Sequence, residues 1–217
     1  MRFKAVVSPV LAIVIAMFFV TASASAQESS LKLVGFGDSL MAGYQLPTDD
    51  ALPNQLEAAL RSKGVSVSVA NAGVSGDTSS GGLARIDWSV PDGTDGVILE
   101  LGANDALRGI APQQTERNLE AMIVKLKDRN IPVLLVGMIA PPNMGGDYAE
   151  RFNPIYRQLA DKYDLAYYPF ILEGVVGHPN LQLEDGMHPN TDGVGVVVQQ
   201  MLPTVEQFVS KILGGEK

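Results

Sequence analysis

Short apolar runs, each about as long as a β-strand, alternate with segments whose apolar residues recur every three or four positions. Strands that alternate with helices in this way form a parallel sheet with helices on both faces. The pattern therefore predicts an α/β fold, a doubly wound parallel five-stranded sheet covered by helices on both sides. The five predicted strands are Leu31–Phe36, Val65–Val69, Val97–Leu101, Val133–Val136 and Ala166–Tyr168.

The order of these strands follows from one difference between them. Only Val65-Ser66-Val67-Ser68-Val69 alternates strictly between apolar and polar residues, which is typical of a strand at the edge of a sheet. This favours the flavodoxin-like order 2-1-3-4-5, in which ligands bind outside the carboxyl ends of the strands. Phe152 to Leu159 read as one helix, and the last helix begins near Asn190, with Pro203 expected to kink or interrupt it.

The first 26 residues differ from the rest of the chain. Arg2 and Lys4 precede the apolar run Val10–Val20, and small residues follow as far as Ala26. This layout predicts a secretory signal peptide at residues 1–26 that is cleaved near Ala26. A retained membrane anchor is the alternative, although a spanning helix needs about 20 apolar residues. We therefore expect a periplasmic or secreted protein with a single domain over residues 27–217, and no stable membrane insertion after cleavage.

The charge and the cysteine content narrow the classes of partner. Without Arg2 and Lys4, 14 of the 16 basic residues remain against 24 acidic ones, a formal charge of −10. Such an acidic chain argues against nucleic acid as a partner. The absence of Cys excludes disulfides, thiolate metal sites and a Cys nucleophile. The acidic pair Asp49-Asp50 is the one feature that suggests a metal site, and it reads instead as a solvated pair in a polar loop. We therefore expect no metal and no organic cofactor. We also expect a monomer.

The first candidate for chemistry is Ser39. The apolar run that ends at Phe36 stops abruptly in Gly37-Asp38-Ser39, and a helix-compatible segment then resumes. A Ser at this carboxyl end of a strand lies on the functional edge of the fold. It is either an ordinary helix N-cap or a nucleophile. The segment is not the G-x-S-x-G elbow, because Met41 stands where the second Gly would be.

A Ser nucleophile needs a general base that a third group orients. The chain has two His, and each precedes Pro-Asn. His188 has Asp185 three residues before it, whereas the nearest acidic residue to His178 is Glu173. We therefore predict His188 as the base, with Asp185 beside it, and His178 as a surface or pocket-rim residue. The alternative for His188 is a plain turn residue, because Asp-Gly and Pro are common in turns.

Acyl transfer also needs hydrogen-bond donors for the oxyanion. Gly76 lies in the Gly-rich stretch 71–82 and lets the backbone approach a ligand, although this stretch also reads as a flexible linker. Asn104 lies in the stretch 100–109 and offers an amide donor, although it also reads as a cap or turn residue. In a doubly wound sheet these stretches and Ser39 converge on one edge.

These motifs together resemble the SGNH/GDSL hydrolase family, in particular its bacterial periplasmic thioesterase I and arylesterase group. The resemblance covers essentially all of residues 27–217, in the family's order. Ala103 departs from the pattern, because many relatives carry Gly there. The four matching blocks are Gly37-Asp38-Ser39-Leu40, Asn71–Asp77, Gly102-Ala103-Asn104-Asp105 and Asp185-Gly186-Met187-His188-Pro189.

The resemblance implies a role for each motif. It makes Ser39 the nucleophile of a triad with Asp185 and His188. It makes the backbone N–H groups of Ser39 and Gly76 and the amide of Asn104 the oxyanion hole. We also expect substrate contacts from three further residues, of which the last lies in the substrate-facing loop Met138–Asp147: Asp38, Asp105 and Met144.

The resemblance also implies the substrate, a small-molecule carboxylic ester or acyl thioester, in some relatives a lysophospholipid. A glycan O-deacetylase with the same catalytic residues is the main alternative. A non-catalytic acyl- or glycan-binding module is disfavoured by the full set of catalytic residue types. A phosphate-binding protein built on the stretch 71–82 is disfavoured because the Lys of a P-loop is missing and Arg85 is the only cation nearby.

Overall fold

A computed structural model of the protein describes residues 30–215, so the predicted signal peptide at residues 1–26 lies outside the described part of the chain. The centre of the fold is one sheet of five strands, and every neighbouring pair is parallel. Their order is β2-β1-β3-β4-β5, as predicted, with β2 at one edge. The strands are β1 (Leu31–Gly37), β2 (Val67–Gly73), β3 (Gly96–Glu100), β4 (Val133–Val136) and β5 (Ala166–Tyr168).

The three central strands are apolar because both of their faces are covered. All residues of β3 and β4 are buried, and in β1 only Lys32 is exposed. Side chains such as Phe36, Ile98 and Leu134 are fully enclosed between the sheet and the helices. Burial of this kind contributes roughly 1.5–3 kcal/mol for each large apolar side chain, which fixes the layers against one another.

The helices form two layers. α2 packs against α8 on one face of the sheet, whereas α5 packs against α3 and α7 on the other. This split is expected for a sheet that is wound in both directions from β1. Among residues 30–215, no helix is both long and apolar enough to cross a membrane. The helices are α1 (Ser39–Ala42), α2 (Leu52–Ser62), α3 (Ser79–Ser89), α4 (Ala103–Leu107), α5 (Pro112–Asp128), α6 (Gly146–Phe152), α7 (Ile155–Tyr163) and α8 (Thr191–Leu213).

The bounds of β2 correct the prediction of Val65–Val69. The strand begins at Val67 and continues to Gly73, in register with the whole of β1. The side chains in its second half are small rather than large and apolar, because α1 lies against this part of the strand. A Cβ on Gly73 would overlap the backbone of Ala42. The alternation of Val and Ser therefore marked only the part of the strand that α2 covers.

Two predictions about helices are also corrected. The segment predicted as one helix divides into α6 and α7 at Asn153-Pro154, because Pro has no backbone N–H to continue α6. Conversely, of the kink or interruption expected at Pro203, the interruption does not occur, because α8 continues as one helix to Leu213. The predicted start of α8 is confirmed, since Asn190 Oδ1 accepts a hydrogen bond from the Gly193 N–H at 2.9 Å.

Candidate active site

Ser39 is the first residue of α1, directly after β1, but it does not cap that helix. The cap is Asp38, whose Oδ1 accepts a hydrogen bond from the Leu40 N–H at 3.0 Å. The hydroxyl of Ser39 is thereby left free for another partner. The interpretation of Ser39 as an N-cap is therefore wrong.

That partner is His188. Its Nε2 lies 2.8 Å from Ser39 Oγ, although the two residues are 149 positions apart in the chain. On the other side of the ring, His188 Nδ1 lies 2.6 Å from Asp185 Oδ2. The structure thus brings together the three side chains that the sequence analysis selected, in the order carboxylate, imidazole, hydroxyl. His178, by contrast, is exposed and contributes nothing to the cavity beside Ser39.

The charge state of Asp185 fixes the tautomer of His188. Partial burial disfavours the carboxylate, but hydrogen bonds from the backbone N–H groups of His188 and Met187 and from the imidazole outweigh it and lower the pKa of Asp185. An ionised carboxylate accepts hydrogen bonds only, so Nδ1 of His188 must carry the proton. Nε2 is then left with a lone pair that faces the Ser39 hydroxyl.

The loop that carries Asp185 and His188 is held by local contacts. The Leu183 N–H donates to the His188 carbonyl at 2.8 Å, and the Gln182 amide donates to the Gly186 carbonyl at 2.8 Å. Gly186 has a φ of 67°, a left-handed conformation that other residues adopt only at a cost. These contacts fold the loop tightly enough for a carboxylate to meet an imidazole three residues later.

Candidate oxyanion donors lie on the same wall as Ser39. Gly76 occupies a turn after β2 with a φ of 81°, and Asn104 lies in α4 after β3. Asn104 is not a helix cap, because its Nδ2 donates to Asp38 Oδ2 at 3.1 Å. In the part of the chain that the structure describes, the backbone N–H groups of Ser39 and Gly76 donate to no protein acceptor.

A cavity of about 770 Å³ opens beside these groups. Ser39, Gly76, Asn104 and His188 line it, and most of its remaining wall is apolar. Several of the apolar side chains at its mouth are largely exposed, among them Leu107 at 51% and Val176 at 55%. No set of three His, Asp or Glu side chains within residues 30–215 is arranged to hold a metal ion. The other apolar lining residues are Leu40, Tyr44, Ala103, Met138, Ile139, Ala140, Pro141, Pro142, Phe170, Leu172 and Met187.

The three expected substrate contacts are corrected. Asp38 and Asp105 are fully buried, and Met144 packs against the core beside Gly109, so none of the three reaches the cavity. Asp105 instead accepts hydrogen bonds from the Ser79 N–H and hydroxyl and from Thr115, which ties α4 to α3 and α5. The loop that holds Met144 does face the cavity, but through residues 138–142.

Glu100, the last residue of β3, is a buried carboxyl that the sequence analysis missed. Its Oε2 accepts a hydrogen bond from the Asp38 N–H at 3.2 Å, and its carboxyl occupies the space where a Cβ on Gly37 would be. Burial, and then the nearby charge of Asp38, raise the pKa of Glu100 well above its ordinary value, and burial raises the pKa of Asp38 to about 6. The available signal in the sequence was an acidic residue at the end of a strand that is buried on both faces, since Glu is rarely buried without a specific partner.

Three more residues support the site without having been selected from the sequence. The ring of Tyr44 lies against that of His188, with 4.5 Å between centroids. Arg85, which is nearly buried, donates to the carbonyl oxygens of Gly37 and Ala72 and pairs with Asp77 at 2.7 Å. Arg108 donates to the Gly76 carbonyl at 2.7 Å. The two arginines thus hold the ends of β1 and β2 and the Gly76 turn in place.

The buried carboxyl pair predicts a pH dependence of stability. Because the pKa of Glu100 is raised in the folded state, folding takes up a proton above pH 4.5, and this contribution to stability is lost as pH rises through the folded pKa. Gln has the same shape and does not titrate. The melting temperature of Glu100→Gln minus that of the wild type should therefore increase as pH rises from about 4.5 towards 8.

Thermal unfolding monitored by circular dichroism over this pH range measures that difference. Glu150→Gln, which removes an exposed carboxyl on α6, controls for the loss of one negative charge. A difference for Glu100→Gln that stays constant with pH would show that Glu100 is ionised in the folded protein.

Comparison with known proteins agrees with the geometry of the site. The GDSL-like Lipase/Acylhydrolase family matches residues 36–196, which include all four motifs. The chain is 38% identical over 198 residues to an arylesterase of Vibrio mimicus, covering 91% of this chain and 94% of that one. It is 38% identical over 179 residues to the thioesterase 1/protease 1/lysophospholipase L1 of Escherichia coli K12, covering 82% and 85% of the two chains.

A solved structure extends the similarity to three dimensions. AlinE4, an SGNH-hydrolase family esterase, superposes with a TM-score of 0.70 and 44% sequence identity, covering 82% of this chain and 96% of the other. The sequence match, the strand order and the motifs at the carboxyl edge of the sheet all lead to one assignment: the chain belongs to the GDSL-like lipase/acylhydrolase family and is an ester hydrolase of the SGNH type.

Proposed function

We propose that the protein is an exported serine hydrolase that cleaves carboxylic esters and acyl thioesters through the triad Ser39, His188 and Asp185 and a covalent acyl-enzyme. The observation that carries the proposal is the unbroken line of short contacts, 2.8 Å from Ser39 Oγ to His188 Nε2 and 2.6 Å from His188 Nδ1 to Asp185 Oδ2. A nucleophile, its base and the group that orients the base are the minimum set for acyl transfer by Ser.

In the first half of the reaction, His188 Nε2 takes the proton of Ser39 as Oγ attacks the carbonyl carbon of the substrate. The carbonyl oxygen becomes an oxyanion, which the N–H groups of Ser39 and Gly76 and the Asn104 amide are disposed to receive, since all three residues line the cavity. His188 then gives its proton to the leaving alcohol or thiol as the carbon–oxygen or carbon–sulfur bond breaks.

In the second half, water attacks the acyl group on Ser39. His188 Nε2 accepts the proton of the water, the oxyanion forms again, and the carboxylic acid leaves as Ser39 Oγ recovers its proton. Asp185 remains ionised throughout and stabilises the imidazolium ion in each half. Its lowered pKa suits this role, because a carboxyl that gained a proton readily would release the imidazole from its fixed orientation.

The lining of the cavity supports an acyl chain as the group that it binds. The space of about 770 Å³ is far larger than an acetyl group, and apolar side chains form most of its wall. Burying each methylene of an acyl chain there is worth about 0.8 kcal/mol. The names of the relatives, an arylesterase and a thioesterase 1/protease 1/lysophospholipase L1, agree with ester and thioester substrates.

One assay decides between these substrates and an acetylated glycan. Rates should be compared for p-nitrophenyl esters of graded chain length, an acyl-CoA and an acetylated sugar. The proposal expects kcat/KM to rise beyond acetyl and acyl-CoA to be cleaved, because longer chains bury more apolar surface in the cavity. Hydrolysis of the acetylated sugar alone would favour the O-deacetylase instead.

The nucleophile can be identified by covalent labelling. A serine-directed organophosphonate should label Ser39 of the wild type, and Ser39→Ala should lose both labelling and hydrolysis. Ser75, which also lines the cavity but has no imidazole beside it, provides the matched control: Ser75→Ala should still be labelled at Ser39. Labelling at another Ser, with Ser39→Ala still active, would refute the assignment.

The two His-Pro-Asn segments offer a built-in comparison for the base. His188→Ala should lower kcat by roughly 10⁴-fold or more, as for removal of a triad member. His178→Ala should retain nearly full activity, because this side chain is exposed and makes no hydrogen bond that the structure records within residues 30–215. Steady-state kinetics on both variants measures the ranking, and the opposite ranking would exclude His188 as the base.

Export is proposed on the sequence of residues 1–26 alone. The protein should be found in the periplasm or the medium of the producing cells, with a first residue near Gln27, because a signal peptidase cleaves after small residues such as those ending at Ala26. Cell fractionation followed by N-terminal sequencing tests this. Recovery of an intact chain in the membrane fraction would point to a retained anchor.

A further inference from the structure

The amide of Asn104 has two N–H bonds, and the structure uses only one of them within the protein. That one points to Asp38 Oδ2 at 3.1 Å, while Asn104 itself lines the cavity. Because the amide group is planar, fixing one N–H also fixes the direction of the other. A side-chain amide without such a partner can turn its oxygen towards the cavity, where it would repel an oxyanion.

We propose that Asp38 is a positioning residue, whose carboxylate holds the Asn104 amide with its second N–H facing the cavity, and that Glu100 beneath it is a neutral acid that keeps this buried pair at a single negative charge. The proposal rests on the proposed function, in which Asn104 is an oxyanion donor. It gives Asp38 a role that does not involve contact with the substrate.

Only an acceptor can select this orientation. A carboxylate has no hydrogen to donate, so it accepts an Asn104 N–H and rejects the amide oxygen. Its other oxygen, Oδ1, accepts from the Leu40 N–H, which belongs to the turn that presents Ser39. One carboxylate therefore links the nucleophile to the donor and sets their relative position.

Glu100 controls the charge of this arrangement. Its Oε1 is the only buried side-chain nitrogen or oxygen without a hydrogen-bond partner among residues 30–215, which would be costly for a carboxylate and costs much less for a neutral acid. A proton on Glu100 would remove the repulsion between this carboxyl and the nearby charge of Asp38. The raised pKa of Glu100 agrees with this.

A single charge also suits the chemistry. Two carboxylates in a buried site repel each other strongly, and both would repel a developing oxyanion. With Glu100 neutral, one negative charge remains, and it is the charge that accepts the hydrogen bond from Asn104. Because Gly37 has no Cβ, the Glu100 carboxyl has room at this point. The motif Gly37-Asp38-Ser39-Leu40 therefore packs directly against Glu100.

A double-mutant cycle on the protein tests the proposal. Asn104→Ala should lower kcat by roughly 10²–10³, the usual loss for one oxyanion donor. Asp38→Asn should lower kcat by about 10- to 100-fold with little change in KM, because the donor is misdirected rather than removed. In the Asn104→Ala background, Asp38→Asn should have almost no further effect, since residues that act through one contact are not additive.

Two further variants make the test specific. Asp38→Ser keeps a side chain that can cap the Leu40 N–H but cannot reach Asn104, so it should reproduce the loss of kcat even if Asp38→Asn does not fold. The fold-loss of kcat in Glu100→Gln should be at least about ten times smaller than the fold-loss in Asp38→Asn, because Gln imitates the neutral acid. Asp95→Asn is the control: this carboxylate accepts the Lys32 N–H at 2.8 Å at the opposite end of the sheet and should leave kcat unchanged.

The outcomes separate this proposal from the proposed function. If Asn104→Ala keeps its kcat, Asn104 is not a donor and the proposed oxyanion hole is wrong. If Asn104→Ala loses kcat while the Asp38 variants change KM alone, or if the effects of the two sites multiply, then Asp38 does not act through Asn104 and this proposal is overturned. Equal losses in Glu100→Gln and Asp38→Asn would refute the neutral state of Glu100.

Discussion

The position of β1 inside the sheet determines which loops surround the residues at its carboxyl end. β1 pairs with β2 on one side and β3 on the other, so the turn after Gly37 emerges between the ends of two further strands. Gly76 follows one of these strands and Asn104 the other. Exchanging β1 with an edge strand would leave Ser39 with a neighbour on one side only. Ser39, the proposed nucleophile, thus stands in the middle of the edge because the chain changes its winding direction there.

Much of the fold was readable from the sequence because its signals are local. Buried parallel strands are continuous apolar runs, and the ends of β4 and β5 fall where the runs predict. The ends of β2 and the division between α6 and α7 were not found. Gly73 is small because α1 crosses it, and that contact joins parts of the chain that no periodicity connects. The division at Pro154 left the apolar spacing intact on both sides, so periodicity alone could not reveal it.

In the candidate site, too, some residues could be identified from the sequence and others could not. Ser39, His188, Asp185 and Asn104 could be selected because a reaction needs those residue types in a chemically recognisable combination, and the structure brings them together. Asp38 was assigned a substrate contact, yet it is enclosed beneath Asn104. The orientation of a side chain in a turn depends on the groups that pack beneath it, and for Asp38 that group is the carboxyl of Glu100 from another strand. The residues next to Asp38 in the sequence do not reveal this neighbour.

The loop with Asp185 and His188 comes late in the chain, just before α8, and its hydrogen bonds join residues of the loop to one another rather than to the sheet. Ser39, by contrast, is made 149 residues earlier. In the proposed mechanism, therefore, a partly synthesised chain already carries the proposed nucleophile but lacks the proposed base. The base comes just before α8, the helix that packs against α2. A chain that ended before His188 would then have no means of activating Ser39, and it would not hydrolyse esters.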